Sequence, residues 1–287
     1  MFGGSFSYFV NMSLFITSLN SGSNGNCYYV GNQNESVLID VGISCRETEK
    51  RMNRLGLPMN TIKAIFITHE HSDHIKGVQI LSEKYQLPVY ITDTTLQNSP
   101  IKIDPLLVNS FVPYQSIQIG DLSVKAFPKR HDACDAHSFT VSGNGVTIGI
   151  MTDIGSICEH VIANFNQCNA VILEANYDEI MLEEGRYPYF LKKRIRGGMG
   201  HLSNRQALEL FLNHKNPNLS QLILAHLSKD NNCPEKVGRL FKEHAGATEI
   251  VVASRYEESR VFQIQPLGRR INSVWSTAVK AQQLTIF

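Results

Sequence analysis

Six consecutive positions, His69 to His74, read HEHSDH and directly follow the apolar stretch AIFIT. Such an apolar run predicts a buried strand, so the three histidines and two carboxylates lie in the turn that leaves it. Imidazole and carboxylate groups suit Zn²⁺, Mn²⁺ or Fe²⁺, and the lack of cysteine in the turn argues against a structural zinc site. A solvated loop that is merely rich in histidine is the alternative. The loop offers four candidate ligands: His69, His71, Asp73 and His74. One open catalytic metal takes fewer than four from a single segment, which favours two metal ions.

Short β-branched and aromatic runs recur along the 287 residues and are bounded by Gly, Asn and Asp. They predict twelve strands: SLFITS, CYYV, SVLID, AIFIT, VYIT, LSVKAF, HSFTVS, VTIGIM, AVILEA, QLILAH, EIVVA and RVFQIQ. Helical patterns lie between several of them, at 45–56, 76–85, 156–165, 203–214 and 233–245. No Pro/Gly/Ser-rich linker divides the chain, so we expect one α/β domain with helices outside packed sheets.

A metal centre needs further ligands, and they are expected at the ends of other strands. Three residues stand there: His131 after LSVKAF, Asp153 after VTIGIM, and His226 at the end of QLILAH. Taken singly, each is more often a capped strand end or a surface residue than a ligand. Their order along the chain, together with HEHSDH, favours the ligand interpretation.

With these residues the sequence resembles the metallo-β-lactamase fold superfamily of metal-dependent hydrolases. The motifs that carry the resemblance are Asp40 in VLIDVG, the HEHSDH loop, His131, Asp153 in MTDIG, and His226. The resemblance implies a four-layer αββα sandwich, an α/β fold, with the metals at one edge of its two sheets. Asp40 would support the ligand loop from outside the coordination sphere.

The same resemblance implies two divalent metal ions, Zn²⁺ or Mn²⁺, with iron as a further option. Seven residues would bind them: His69, His71 and His131 the first ion, Asp73, His74 and His226 the second, and Asp153 both. A cysteine at position 153 would be typical of zinc β-lactamases, and a glutamate at position 71 of flavodiiron proteins. The sequence has neither, which argues against both branches.

Two later motifs narrow the class of hydrolase. Glu174 lies in LEANYD and His201 in GHLSN, and each has an ordinary alternative, as a strand-end charge and a helix-start residue. The motifs are similar to those of phosphodiesterases such as the tRNA 3′-processing endonucleases. By that resemblance His201 protonates the leaving alkoxide and Glu174 holds its ring; with Asp73 they form the expected catalytic set.

The motifs SGSNGN, LIDVGIS, THEHSDHIKG, RHDA and LAHLSKDNN extend the likeness over nearly the whole chain. They resemble the YycJ/WalJ branch of bacterial enzymes within the superfamily. That branch implies a double-stranded DNA 5′–3′ exonuclease, with DNA favoured over RNA as the nucleic acid substrate. No partner protein can be inferred from the sequence.

The net charge of +1 means that an anionic substrate must be held by local charge. The stretch LKKRIRGGMGH places four basic residues directly before His201: Lys192, Lys193, Arg194 and Arg196. We expect them to contact phosphates. The alternative is a solvated run of charge.

Two competing functions share parts of this evidence. A small-molecule hydrolase, such as a glyoxalase II-like thioesterase or a lactonase, would use the same metal site. The pair Glu174 and His201 and the basic run favour a phosphodiester instead. A binding or regulatory module with a degenerate site is disfavoured, because every ligand position holds a competent residue.

The chain ends and the cysteines suggest where the protein works. Residues 1–11 hold no Lys or Arg, and the first basic residue is Arg46, so a signal peptide is not expected. We interpret 1–11 as an N-terminal extension and 12–287 as a single metallo-β-lactamase fold domain. The six cysteines form no CxxC pair, which favours a reducing cytoplasm. No apolar run approaches the length of a membrane span.

Overall fold

The computed structural model of the protein describes residues 13–266, so the expected extension at 1–11 lies outside the described residues. The chain between them forms fourteen strands: β1 (Leu14–Asn20), β2 (Cys27–Gly31), β3 (Ser36–Ile39), β4 (Ile62–Phe66), β5 (Val89–Tyr90), β6 (Val108–Asn109), β7 (Ser116–Ile119), β8 (Leu122–Pro128), β9 (His137–Gly143), β10 (Val146–Met151), β11 (Ala170–Glu174), β12 (Gln221–Ala225), β13 (Glu249–Val252) and β14 (Phe262–Ile264). All twelve strands predicted from the sequence are present. The prediction missed β6, which has two residues, and β7, whose sequence SIQI faces solvent at alternate positions.

The strands form two seven-stranded sheets. The first has the order β14-β1-β2-β3-β4-β5-β6 and the second the order β13-β12-β11-β10-β9-β8-β7. In each sheet one half pairs antiparallel and the other half, β3 to β6 or β10 to β13, pairs parallel. Parallel strands end at the same edge, so each sheet presents a row of strand ends where loops can carry functional groups.

Nine α-helices lie within the described residues, and the larger ones cover the outer faces of the sheets. Their bounds are α1 (Cys45–Arg54), α2 (Ser72–Ile75), α3 (Val78–Tyr85), α4 (Asp93–Asn98), α5 (Glu159–Phe165), α6 (Glu179–Glu184), α7 (Tyr189–Arg196), α8 (Asn204–His214) and α9 (Pro234–Lys242). The five helices predicted from the sequence correspond to α1, α3, α5, α8 and α9. Ser203 caps α8 with a full capping box, which fixes where that helix begins.

Three apolar clusters separate the layers. One fills the space between the two sheets, with Ile16 and Phe66 from the first sheet against Phe139 from the second. A second lies between the second sheet and helices α5, α8 and α9, and a third between the first sheet and helices α1 and α3. The order helix, sheet, sheet, helix is the αββα sandwich that the resemblance implies. Within residues 13–266, no helix is both long and apolar enough to cross a membrane.

Candidate metal centre

The HEHSDH loop leaves the end of β4 and closes in the single helical turn of α2. His69 and His74 are fully buried, and His71 stands immediately before the turn. The ring atoms His69 Nε2 and His71 Nδ1 lie 3.0 Å apart, and His74 Nε2 lies 3.6 Å from Asp73 Oδ2. The turn therefore gathers four metal-capable side chains around one small volume, as the sequence predicts.

Asp153 lies at the middle of this volume, two residues beyond β10. Its Oδ2 is 3.2 Å from His74 Nε2, and its Oδ1 is 3.8 Å from His131 Nε2 and 3.5 Å from His226 Nδ1. Both carboxylate oxygens thus face histidines that come from different strands. A carboxylate in this position can contact two metal ions at once.

Three strand-end residues of the site have left-handed backbones. The φ angles are 61° at Asp40 after β3, 54° at Asp153 after β10, and 55° at His226 after β12. Positive φ is uncommon for residues other than glycine, and Asn, Asp and His are enriched among the exceptions. The reversal turns each side chain back over the edge of its sheet, towards the site.

The candidate ligands form overlapping groups whose nitrogen and oxygen atoms lie within 4.8 Å of one another. Four such groups occur among the described residues: His69, His71 and His131; Asp73, His74 and His226; His69, His74 and Asp153; and Asp153, Glu174, His201 and His226. The third group shares His69 with the first and His74 with the second, and it shares Asp153 with the fourth. The structure therefore brings all seven predicted ligands into one small volume, with Glu174 and His201 beside them.

Three polar atoms at the centre are buried and make no hydrogen bond with the described residues: His131 Nε2, Asp153 Oδ2 and His226 Nε2. Leaving one buried polar atom without a partner costs about 1–3 kcal/mol, and here three such atoms point into the same volume. Divalent cations would supply the missing partners. The donor set of imidazole nitrogens and carboxylate oxygens fits Zn²⁺, Mn²⁺ or Fe²⁺.

The pKa values of two histidines in the site shift in opposite directions. Burial lowers the pKa of His131 to about 4, although Asp153 opposes the shift. Burial also opposes protonation of His74, but Asp153, Asp40 and Asp73 outweigh it and raise its pKa to about 10. Metal and proton compete for the same ring nitrogen, so the carboxylates that favour the proton would favour a divalent cation more strongly.

Asp40 fixes the orientation of the ligand loop from a fully buried position. Its Oδ2 accepts hydrogen bonds from His74 Nδ1 at 2.7 Å and Thr68 Oγ1 at 2.8 Å, and its Oδ1 accepts from Thr68 N at 2.9 Å. Thr68 Oγ1 in turn accepts from His69 Nδ1 at 2.8 Å. Both histidines are thereby held with Nε2 directed into the site.

Replacing Asp40 with asparagine should weaken metal binding about 10- to 100-fold, the usual cost of losing such an outer support. The Asp40 carboxylate accepts three hydrogen bonds. In either orientation of the asparagine, its amide nitrogen would face at least one N–H or O–H donor, and that hydrogen bond would be lost. The measurement is competition with a chromophoric chelator. The exposed Asp93→Asn is the matched control, and an unchanged metal affinity in Asp40→Asn would contradict the orienting role.

Glu174, the last residue of β11, is fully buried and bonded on both oxygens. Its Oε1 accepts from His201 Nδ1 at 2.8 Å and from His226 Nδ1 at 3.0 Å. Its Oε2 accepts from Ile154 N at 2.8 Å and Leu202 N at 3.1 Å. Burial opposes ionisation, but the two histidines outweigh it and lower the pKa of Glu174 to about 2. The ionised carboxylate therefore joins His201 to the metal centre.

His201 precedes α8 and retains partial exposure, with 19% of its side chain accessible. Because Nδ1 donates to Glu174, Nε2 is available for a substrate. The preceding residue, Gly200, accepts a hydrogen bond from His131 Nδ1 at 3.0 Å through its carbonyl. This contact holds the His201 segment against the expected first metal, and no sequence motif indicates it.

Sequence reasoning missed further contributors to the site, which lie in motifs that it noted without giving these residues a role. Asn26 in SGSNGN donates to Asp73 Oδ2 at 3.2 Å, and Ser21 Oγ accepts from His226 N at 2.7 Å. Asn176 donates to the carbonyl oxygen of His226 at 2.7 Å. The motifs SGSNGN and LEANYD contain these residues, but the sequence alone does not indicate which ligand each of them supports.

The basic run forms helix α7, and most of its charges have partners. Arg194 Nε donates to Asp132 Oδ2, Arg196 Nη1 donates to Glu183 Oε2 at 2.6 Å, and Lys192 Nζ donates to the carbonyl oxygen of Glu183. Among the described residues, only Lys193 of the four has no such partner, and its side chain is exposed. The four residues are thus close to the site but unequally available to a phosphate.

Comparison with known proteins agrees with this geometry. A model of the β-lactamase superfamily domain matches residues 35–227. The protein called exodeoxyribonuclease YycJ of Bacillus anthracis is 34% identical over 229 residues, which are 78% of this chain and 86% of that protein. The exodeoxyribonuclease WalJ of Streptococcus pneumoniae serotype 2 is 31% identical over 222 residues, 76% of this chain and 82% of that protein.

Among solved structures, the metallo-β-lactamase fold protein YhfI from Bacillus subtilis superposes with a TM-score of 0.68. The superposition covers 88% of this chain and 99% of that chain at 16% identity, so it bears on the fold alone. The sandwich, the clustered strand-end ligands and the matched family lead to one assignment. The protein belongs to the β-lactamase superfamily, as a metal-dependent hydrolase with the metallo-β-lactamase fold.

Proposed function

We propose that this protein is a two-metal phosphodiesterase that degrades DNA from an end. The observation that carries the proposal is the His201–Glu174 pair, held 2.8 Å apart beside seven convergent metal-capable side chains. A general acid at this place suits a reaction whose leaving group is a poor one, such as a sugar alkoxide. The names of the two bacterial relatives, both exodeoxyribonucleases, support DNA as the substrate.

We assign the seven side chains as metal ligands. His69, His71 and His131 would hold one ion, Asp73, His74 and His226 the other, and Asp153 both. When bound, two such ions supply an activated water and neutralise charge on the phosphate. The donor set favours Zn²⁺ or Mn²⁺, with iron as a further candidate.

The chain's own residues would carry out the rest of the reaction. In this proposal the substrate phosphate lies over Asp153, with its leaving oxygen directed towards His201 Nε2. As the bond between phosphorus and that oxygen breaks, His201 gives it a proton, and the Glu174 carboxylate stabilises the imidazolium beforehand. Asp73, with one fifth of its side chain accessible, lies at the mouth of the site and orients the entering group.

A glyoxalase II-like thioesterase or a lactonase is the alternative, since it would share the metal site. A thiolate is a far better leaving group than an alkoxide, because thiols ionise near pH 8.5. A thioesterase therefore has little use for a carboxylate-held imidazole beside the metals. The His201–Glu174 pair therefore favours the phosphodiester over the thioester. A lactone also releases an alkoxide, and against it the basic helix α7 favours a phosphodiester.

The test compares four substrates with the purified, metal-loaded protein. Linear 5′-phosphorylated duplex DNA should be digested, whereas the same sequence as a covalently closed circle should resist. An RNA duplex and a thioester complete the set. Digestion that starts at 5′ ends would support the 5′–3′ polarity, and cleavage of the closed circle would exclude an exonuclease. Hydrolysis of the thioester alone would support the alternative.

The basic run gives a separate prediction. If Lys193 contacts a phosphate, Lys193→Ala should reduce the slope of log affinity against log salt by about 0.9, the value for one contact to duplex DNA. Lys192→Ala, Arg194→Ala and Arg196→Ala should change the slope less, because these side chains already have partners. The exposed Lys102→Ala is the control. Unchanged slopes in all four variants would mean that the run is a solvated face.

We place the protein in the cytoplasm as a prediction. All six cysteines are free thiols in the structure, and three of them, Cys27, Cys45 and Cys168, are buried. Free thiols suit a reducing compartment. The substrate that we propose, DNA, is found in the same compartment of a bacterium.

A further inference from the structure

The segment between Glu174 and His201 forms a small helical cap beside the site. Helices α6 and α7 pack on a satellite apolar cluster of Tyr177, Leu182 and Ile195, which is separate from the main core. Leu191 packs against this cluster and lies one turn before Ile195. The inward face of α7 is therefore the one that carries Leu191 and Ile195.

A second face of α7 is directed towards the catalytic centre. Arg194 Nε donates to Asp132 Oδ2, and Asp132 Oδ1 lies 3.4 Å from His131 Nε2, one of the atoms directed into the metal site. Phe190 precedes Arg194 by four residues, so the two side chains share one face of the helix, a turn apart. The ring of Phe190 is 73% exposed. An aromatic ring thus lies one helical turn from a residue bonded to the edge of the site.

Two further exposed apolar side chains lie in the same segment of the chain as Phe190. Tyr189 is 70% exposed, and Met199 is 50% exposed two residues before His201. The backbone of Met199 lies so close to Gly155 that a Cβ there would be 2.5 Å from Met199 Cα, which fixes Met199 beside the Asp153 turn. Tyr189, Phe190 and Met199 together are here named the apolar rim.

We propose that the apolar rim is a stacking surface for unpaired nucleobases of the DNA strand next to the scissile phosphate. The inference rests on the proposed function. Every base has a π-face, so aromatic side chains bind single strands with little regard to sequence. Helix α7 carries no acidic residue, and two of its four cations, Lys192 and Lys193, have no carboxylate partner among the described residues, which matches a polyanion that brings bases and phosphates together. Bases inside a duplex stack on one another, so the rim would bind a frayed end or a single strand.

The stacking role predicts a loss of single-strand affinity. Phe190→Ala should raise the Kd for a hydrolysis-resistant phosphorothioate single strand about fivefold or more, measured by fluorescence anisotropy with the metal-loaded protein. The salt dependence should not change, because the ring contacts no phosphate. Phe190→Tyr should bind like the parent protein. Leu106→Ala removes another exposed apolar side chain, one that lies outside helix α7, and serves as the control.

Two other measurements separate the possible failures. Turnover of methyl nitrophenyl phosphate, which has no nucleobase, should be equal in parent and Phe190→Ala. If the parent protein digested no DNA, the proposed function would be wrong. If it digested DNA but Phe190→Ala bound the single strand equally well, the stacking inference alone would be wrong. A Phe190→Ala variant that bound DNA normally but lost self-association in sedimentation would show instead that the rim contacts a second copy of the chain.

Discussion

The Asp153→Asn variant should lose DNA hydrolysis by a factor of about a thousand or more, and at least one of the two metal ions that we propose. Among residues 13–266, Asp153 is the one carboxylate that faces histidines of both ligand sets. Metal ions contribute several kcal/mol of transition-state stabilisation in such enzymes, and about 4 kcal/mol corresponds to a thousandfold change in rate. Asparagine is the suitable replacement because it tolerates the left-handed backbone at this position.

Metal content by elemental analysis and initial rates on linear duplex DNA are the two measurements. The exposed Asp93→Asn should retain both metals and full activity. A variant that kept two metals and a normal rate would remove Asp153 from the centre. Normal metal content with a low rate would mean that Asp153 acts on the substrate rather than as a bridging ligand.

The His201→Ala variant should lose about a hundred- to ten-thousandfold in turnover on DNA while it keeps both metals and its substrate affinity. General-acid assistance to a poor leaving group typically contributes that much. A nitrophenyl phosphodiester has an acidic leaving group that needs no proton. On that substrate the variant should recover most of its activity.

The exposed His244→Ala is the matched control and should behave like the parent protein on both substrates. Equal impairment of His201→Ala on DNA and on the nitrophenyl ester would exclude a general-acid role. Loss of a metal ion in His201→Ala would show that the residue is a ligand.

The structure changes what is expected of the partner residue, Glu174. From the sequence, Glu174 only orients the His201 ring and stabilises its charge, so Glu174→Gln should lose less turnover than His201→Ala. In the structure the same carboxylate also bonds His226 and two backbone amides. Glu174→Gln should therefore lower metal affinity as well as turnover. The amide nitrogen of glutamine would face N–H groups from which the carboxylate now accepts hydrogen bonds.

Much of the fold could be predicted because its strands have strong local signals. Runs such as VTIGIM and AVILEA each hold one polar residue among apolar ones, as expected for parallel strands covered on both faces. Helix α7 was not predicted as a helix, since KKRIR between Leu191 and Gly197 carries only one apolar residue and so shows no amphipathic period. Its helical face is set by Leu191 and Ile195 packing on a satellite cluster that local patterns do not reveal.

The candidate metal centre could be predicted best where its residues are adjacent in the sequence, and much less well elsewhere. HEHSDH can be interpreted from its own spacing, whereas His131, Asp153 and His226 were identified by their order and by resemblance to a family. The ion pair of Arg194 with Asp132 joins residues 62 positions apart, which no local pattern can show. The left-handed backbones likewise follow from how strand ends meet at a sheet edge and not from the residues themselves.

Those three left-handed strand ends have a consequence for protein engineering. A side chain held at positive φ costs the fold on the order of 1 kcal/mol, and that cost is present whether or not a metal is bound. Asp40, Asp153 and His226 are therefore positions where glycine would relax the backbone at the expense of the site. A stability screen that ignores activity would tend to select such replacements. Anyone transplanting this centre into another αββα scaffold must choose one stable enough to tolerate three left-handed strand ends.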